Sequence, residues 1–194
     1  MTRRLPKALS LVFLLAASPL FGGCAGSQAP PAVVAGVDFN RYAGVWYEIA
    51  RFPNPFERDC FAARAEYRMR TDGRLDVENS CRRYSFDGPL RRIKGVAWAP
   101  DPAETARLKV RFFWPFSGDY WIVDLDDEYR TAVVSDRRRR YLWILNREPR
   151  LSQEKLAEIR SSLTERGFDL DRLIMTPQPD GGTGVQTSES SHVQ

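Results

Sequence analysis

From residue 64 onward, apolar and polar side chains alternate with a period of two. In RAEYRMR, Ala65, Tyr67 and Met69 share one face, and Arg64, Glu66 and Arg68 share the other. In LDVENSCRR, Leu75 and Val77 oppose Asp76 and Glu78, and the same parity puts Asn79, Cys81 and Arg83 on the apolar face. RIKGVAWA, ARLKVRFF, GDYWIVDL, YRTAVVS and YLWILNR continue the pattern. Turn-forming residues separate these runs: Asp72-Gly73, Asp87-Gly88-Pro89, Asp101-Pro102, Ser117-Gly118 and Asp126-Asp127. Together with AGVWYEIARFPNPFE (43–57), this makes eight short strands with no helix between them, which predicts an antiparallel barrel or sandwich. The period then changes. Ser152 reads as a helix N-cap with Glu154 in the first turn, Leu156, Ile159 and Leu163 form one apolar stripe, and Gly167 stands where the helix should stop. FDLDRLIMT follows as a short final strand.

The ends of the chain are different. Residues 1–23 carry a basic start, an apolar stretch from Ala8 to Ala17 and then small residues, the pattern of a secretory signal. Gly22-Gly23-Cys24 resembles a lipobox, in which the Cys is acylated, for example by palmitate, and becomes the new N-terminus. Phe21 stands where that pattern has Leu, so an ordinary signal with a chance Cys remains open. More than one acyl chain on Cys24 would anchor the protein stably to a membrane. Ala25 in place of Asp points to the outer membrane by the Gram-negative sorting pattern. Residues 24–36, rich in Ala and Pro, read as the acylated Cys and a flexible tether. Residues 37–177 form the barrel domain, and residues 178–194 read as a disordered tail.

Charge and chemistry narrow the function. The chain carries a net charge of +4, but Arg3, Arg4 and Lys7 lie at its very start, and the remainder is nearly neutral, so nothing directs it to nucleic acid. The only His is His192, in the expected tail, which removes imidazole-dependent catalysis and metal binding from the barrel. Asp124, Asp126, Asp127 and Glu128 read as a turn cluster, with a paired-carboxylate site as the weaker alternative. Cys60 and Cys81, in a chain that leaves the cytoplasm, suggest one disulfide, although a two-residue turn at Asp72-Gly73 would put Cys60 opposite residue 85; two free thiols are the alternative. The run Arg137–Arg140 is either a solvated hairpin tip or a contact for lipid head groups. Phe113, Trp114, Pro115 and Phe116 make an aromatic tip, either a packed turn or an apolar contact for lipid or a partner.

Several motifs in order resemble the lipocalins, and in particular the bacterial outer-membrane lipoprotein branch and apolipoprotein D. They are Gly44-x-Trp46-Tyr47-Glu48, FFWPFSGDYWIVDLD, the block from Asp124 to Leu145, and LWILNREP with Arg147. The resemblance covers about Val37 to Pro177. It implies an all-β fold: an eight-stranded antiparallel up-and-down β-barrel with one C-terminal α-helix packed outside. It also implies that Arg147 lies across Trp46 at the closed end, with Gly44 allowing the tight turn there. In that register the inward positions, and candidate ligand contacts, are Tyr42, Tyr67, Val77, Asn79, Arg83, Phe112, Trp121 and Trp143, with Trp98 as a further candidate. Arg83 near the mouth with aromatics deeper suits an amphiphile with an anionic head. The expected function is a non-enzymatic lipid carrier, holding a fatty acid or lysophospholipid for envelope maintenance. It would need no cofactor or metal, would be tethered to the outer membrane facing the periplasm, and is compatible with a homodimer through the barrel mouth. The alternative is an envelope interaction or structural lipoprotein with a filled barrel.

Overall fold

A computed structural model describes residues 29–179 and 185–186. The expected signal peptide and Cys24 lie outside the described residues. A single-turn helix α1 (Phe39–Tyr42) leads into eight strands: β1 (Gly44–Arg51), β2 (Cys60–Met69), β3 (Leu75–Arg83), β4 (Leu90–Trp98), β5 (Arg107–Phe113), β6 (Phe116–Leu125), β7 (Thr131–Ser135) and β8 (Leu142–Asn146). Each pairs antiparallel with the next, and β8 returns to pair with β1, so the sheet closes on itself. Closure removes free sheet edges and leaves one inner and one outer face.

The two faces carry separate cores. Inside, Tyr42, Trp46, Tyr67, Leu75, Val77, Leu108, Ile122 and Val134 pack together. Outside, Ile49, Val123, Val133 and Ile144 meet helix α2 (Gln153–Glu165) through Ile159 and Leu163. Burying these two side chains contributes about 1.5–3 kcal/mol each. Ser152 caps α2 as expected, its Oγ accepting from the Lys155 amide at 3.1 Å, and Gly167 adopts φ +77° just beyond the helix. Two-residue strand β9 (Leu151–Ser152) precedes the helix and pairs in parallel with β11 (Val185–Gln186).

Three boundaries differ from the sequence reading. The expected final strand is mostly a 3-10 turn at Leu170–Arg172, and only β10 (Ile174–Met175) pairs with β1. This strand has a specific job. β1 and β2 pair only from Gly44 to Tyr47, and β10 fills the gap above. There Gln178, expected to begin a disordered tail, is 1% exposed, and its amide donates to the carbonyls of Glu48 (2.8 Å) and Ala63 (2.9 Å). The other correction is at the N-terminal side. The end of the expected tether is part of the fold, because Val33 and Val34 are apolar and pack on the cores, with the Val34 amide donating to Ile122 O at 3.1 Å.

The direction of each strand sorts the loops. The 70–74, 99–106 and 126–130 turns share the end where β1 begins. Loops 52–59, 84–89, 114–115 and 136–141 share the opposite end. The first end is closed and the second is open.

Candidate functional site

The closed end is built from β1, α1 and the segment after β8. The Arg147 guanidinium carbon lies 3.9 Å from the centre of the Trp46 ring. Its nitrogens donate to four carbonyls: Tyr129 at 3.0 Å, Val45 at 3.0 Å, Arg41 at 2.7 Å and Tyr42 at 3.2 Å. Trp46 is fully buried and its indole N–H donates to Tyr42 O at 2.8 Å. Gly44 has φ +100°, and a Cβ there would stand 3.1 Å from Arg147 Nη1. Both the turn and the close approach of the guanidinium therefore require glycine. Trp46, Gly44 and Arg147 are placed as a seal beneath the barrel.

Above the seal lies a floor of three tyrosines. Tyr120 Oη stands 2.7 Å from both Tyr42 Oη and Tyr67 Oη. Burial pushes the pKa of all three phenols up, so they stay neutral and serve as a satisfied polar floor. The walls above are apolar: Val77, Val110 and Phe112 face inward with Gly95, whose missing side chain leaves room for the Phe112 ring. Asn79, Val110, Phe112, Tyr120 and Trp143 point into a closed barrel yet are only partly buried. Their partial exposure sets the upper barrel apart from the fully buried layer around Trp46.

At the mouth the lining becomes polar. Glu48 and Arg51 on β1 point inward, and Trp143 on β8 is paired directly with Arg51. Glu57, from loop 52–59, reaches back over them. Its Oε2 accepts from Trp143 Nε1 at 2.9 Å and Asn54 Nδ2 at 2.5 Å, and it stands 3.6 Å from Arg51 Nε. Arg51 Nη1 lies 3.5 Å from Glu48, which also bonds Thr176. Burial first, and then the charge of Glu57, push the Glu48 carboxyl well above its ordinary value, against the pull of Arg51. Arg83 sits at the rim, its guanidinium over the Tyr84 ring and 3.8 Å from Asp59. Three buried polar atoms of the upper barrel, Arg51 Nε, Asn79 Oδ1 and Arg83 Nε, have no hydrogen-bond partner among the described residues.

Seven of the nine predicted lining residues fall on the inner face: Tyr42, Tyr67, Val77, Asn79, Arg83, Phe112 and Trp143. Two do not. Trp98 is on the outer face of β4 beside Arg111, because the inward parity there belongs to Ala97, opposite Leu75. Trp121 is on the outer face of β6, under the α2 layer and beside Arg107. An unbroken β5–β6 hairpin would put Trp121 opposite Leu108. The register shifts between Val110 and Phe113, so Tyr120 takes that place and turns inward. Glu48, Arg51, Glu57 and Tyr120 were missing from the prediction. Glu48 was within reach, since it lies two residues from inward Trp46. Arg51 has the wrong parity and becomes inward only through the register shift between Glu48 and Ala50.

The remaining candidates also have places. Cys60 and Cys81 are bonded; the turn spans 70–74 and the register shifts after Phe61, so Cys60 pairs with Arg83, one diagonal step from Cys81. The bridge encloses a separation of 21 residues, worth about 3 kcal/mol by restricting the unfolded chain. In the turn cluster, Asp126 accepts from the amides of Arg130 (2.7 Å) and Thr131 (2.8 Å), and Asp124 faces Arg166 at 3.9 Å. These are structural roles. The basic run divides: Arg139 folds back over Phe168 and Arg140 pairs with buried Asp136, leaving Arg137 and Arg138 exposed at the tip. Phe113, Trp114 and Phe116 are 68%, 82% and 77% exposed, so the aromatic tip is not a packed turn. Strand β6 meets β7 only from Trp121, which leaves residues 116–120 and the tip standing beyond the end of β7.

Comparison with known proteins agrees with this geometry. The "Lipocalin-like domain" profile matches residues 37–178. The chain is 40% identical over 177 residues to the outer membrane lipoprotein Blc of Citrobacter freundii, covering 89% of this chain and 98% of that protein. It is 41% identical, with the same coverage, to the outer membrane lipoprotein Blc of Escherichia coli K12. Bovine apolipoprotein D is 31% identical over 181 residues, covering 87% of this chain and 94% of its own. Among solved structures, insecticyanin from the tobacco hornworm Manduca sexta superposes with a TM-score of 0.62 at 20% identity, covering 82% of this chain and 89% of its own. Lobster apocrustacyanin A1 does so at 0.59 and 23% identity, covering 78% and 92%. A closed eight-stranded barrel, an Arg–Trp seal on one end and a partly exposed polar mouth at the other meet in one chain with these relatives, and the chain belongs to the lipocalin family.

Proposed function

We propose that this protein is a lipid carrier that holds one amphiphile, a fatty acid or a lysophospholipid, in the barrel with its tail on the apolar walls and its anionic head at the open end. The observation that carries this reading is the gradient along the barrel axis. The lining runs from neutral tyrosine hydroxyls, through Val77, Val110 and Phe112, to a mouth lined by Asn79, Arg51 and Arg83. The buried donors Arg51 Nε and Arg83 Nε, without partners among the described residues, call for water or a ligand oxygen, and the acceptor Asn79 Oδ1 calls for a water or hydroxyl donor. The relatives that are named outer membrane lipoproteins support acylation of Cys24 and anchorage in the outer membrane; a barrel facing the periplasm is part of the same proposal. The lining supplies binding chemistry and calls for neither a cofactor nor a catalytic role. A homodimer through the exposed aromatic tip is a further part of this reading.

Native mass spectrometry of the protein offered oleate and lysophosphatidylethanolamine separately tests it. A one-to-one adduct with at least one of them is expected, weakened several-fold by Arg83→Ala, which removes the rim cation. No adduct with either lipid overturns the carrier reading in favour of a structural lipoprotein.

A further inference from the structure

The carboxylate of Glu57 sits in a cradle whose parts come from two kinds of element. Arg51 and Trp143 belong to the barrel wall, on directly paired positions of β1 and β8, so their spacing is set by the sheet. Trp143 Nε1 donates to Glu57 Oε2 at 2.9 Å. Arg51 Nε, 3.6 Å from the same oxygen, is buried and makes no hydrogen bond among the described residues. Glu57 comes from loop 52–59. Asn54 goes with it: its amide contacts that same oxygen, and its carbonyl accepts the Glu57 N–H at 2.9 Å. The loop borders a cleft of about 440 Å³ lined by Arg51, Asn54, Arg58 and Ile174, so open space adjoins the cradle.

We propose that Arg51 and Trp143 form the seat for the anionic head of the bound amphiphile, a carboxylate or a phosphate monoester, and that Glu57 is a built-in occupant with which this head exchanges. The inference rests on the carrier reading and adds the position and charge selectivity of the head-group site to it.

Electrostatics gives the exchange its selectivity. Glu48 and Glu57 both face Arg51. Burial and the nearby Glu57 charge favour protonated Glu48, which leaves Arg51 and Glu57 as the ion pair. Withdrawing Glu57 alone would leave the buried guanidinium with only the desolvated Glu48 carboxyl to compensate it, which is costly. Replacing it with another anion keeps the balance and adds a charge-assisted bond from Arg51 Nε. A neutral head offers no such compensation. Glu57 thus raises the threshold for entry in a way that an anionic amphiphile can overcome and an uncharged one cannot.

Equilibrium binding of oleate, oleoyl lysophosphatidate and oleyl alcohol to the full-length protein and to Glu57→Gln tests this. The variant keeps the shape of the side chain and removes the competing charge. It should bind one or both anions about tenfold more tightly and the alcohol unchanged, and the preferred anion tells whether the seat takes a carboxylate or a phosphate. Trp143→Phe, which keeps an inward ring and loses the donor, should weaken the anions several-fold and leave the alcohol unaffected. Anion affinity that does not rise in Glu57→Gln, or that is indifferent to Trp143→Phe, while the alcohol still binds, overturns the seat and leaves the carrier standing. Failure of the parent and both variants to bind any of the three lipids overturns both.

Discussion

The two ends of the barrel use the same residue types to opposite effect. At the closed end an arginine lies on a tryptophan, four carbonyls receive its N–H groups, and the indole N–H has a carbonyl of its own. At the open end an arginine and a tryptophan again stand side by side, but their donors converge on a carboxylate borrowed from a loop, and Arg51 Nε is left without a hydrogen bond. The closed end takes its acceptors from fixed backbone, so it stabilises the fold and has nothing left to offer a ligand. The open end takes its acceptor from a side chain on a connecting segment, and such an acceptor can be replaced. Full satisfaction by backbone marks a seal, whereas partial satisfaction by a loop side chain marks a site.

Substitutions at the two ends should separate these roles. The largest effect is expected for Trp46→Ala. It removes a fully buried indole together with the surface on which Arg147 rests, and should lower stability by about 3–5 kcal/mol in urea unfolding. Glu48→Gln comes next and acts through pH. Burial and Glu57 raise the Glu48 pKa above its ordinary 4.5, so the protonated acid is favoured in the folded state. The stability it contributes is present below that ordinary value and is lost as pH rises through the folded value. The urea midpoint of the parent should therefore fall across this range more than that of Glu48→Gln. The smallest effect on stability belongs to Trp114→Ser, at 82% exposure, which should stay within about 0.5 kcal/mol of the parent. If the aromatic tip joins two copies, this variant should elute later from a sizing column; an unchanged elution volume counts against the dimer.

The fold was legible because alternation and turn residues fix strand order without any knowledge of register. The seal was legible for a related reason: Gly44, Trp46 and Arg147 are a motif, and a motif survives small errors of alignment between strands. The upper barrel was legible only in part, because a side chain faces in or out by the parity of its position, and one extra residue reverses that parity. The shift in β5 exchanged Trp121 for Tyr120, and the shift in β1 brought Arg51 inside. Trp98 lies outside because the inner position on β4, opposite Leu75, belongs to small Ala97. Glu57 could not have been found by pattern, since it belongs to no strand and its position depends on how loop 52–59 folds over the mouth. Gln178 opens a stretch rich in Gly, Ser and Thr that reads as disordered, and its burial depends on two carbonyls, of Glu48 and Ala63, left where β1 and β2 diverge.

The central claim is that the ligand lies in the open half of the barrel, against Trp143, with Trp46 sealed off beneath the tyrosine floor. Quenching of tryptophan emission by 2-bromopalmitate, below its aggregation threshold, measures this directly, because its bromine lies beside the carboxylate and quenches only an indole in near contact. The account predicts strong, saturable quenching of the parent at one lipid per chain, with most of it lost in Trp143→Phe. Quenching that is unchanged in Trp143→Phe, or no saturable quenching of the parent, would contradict it.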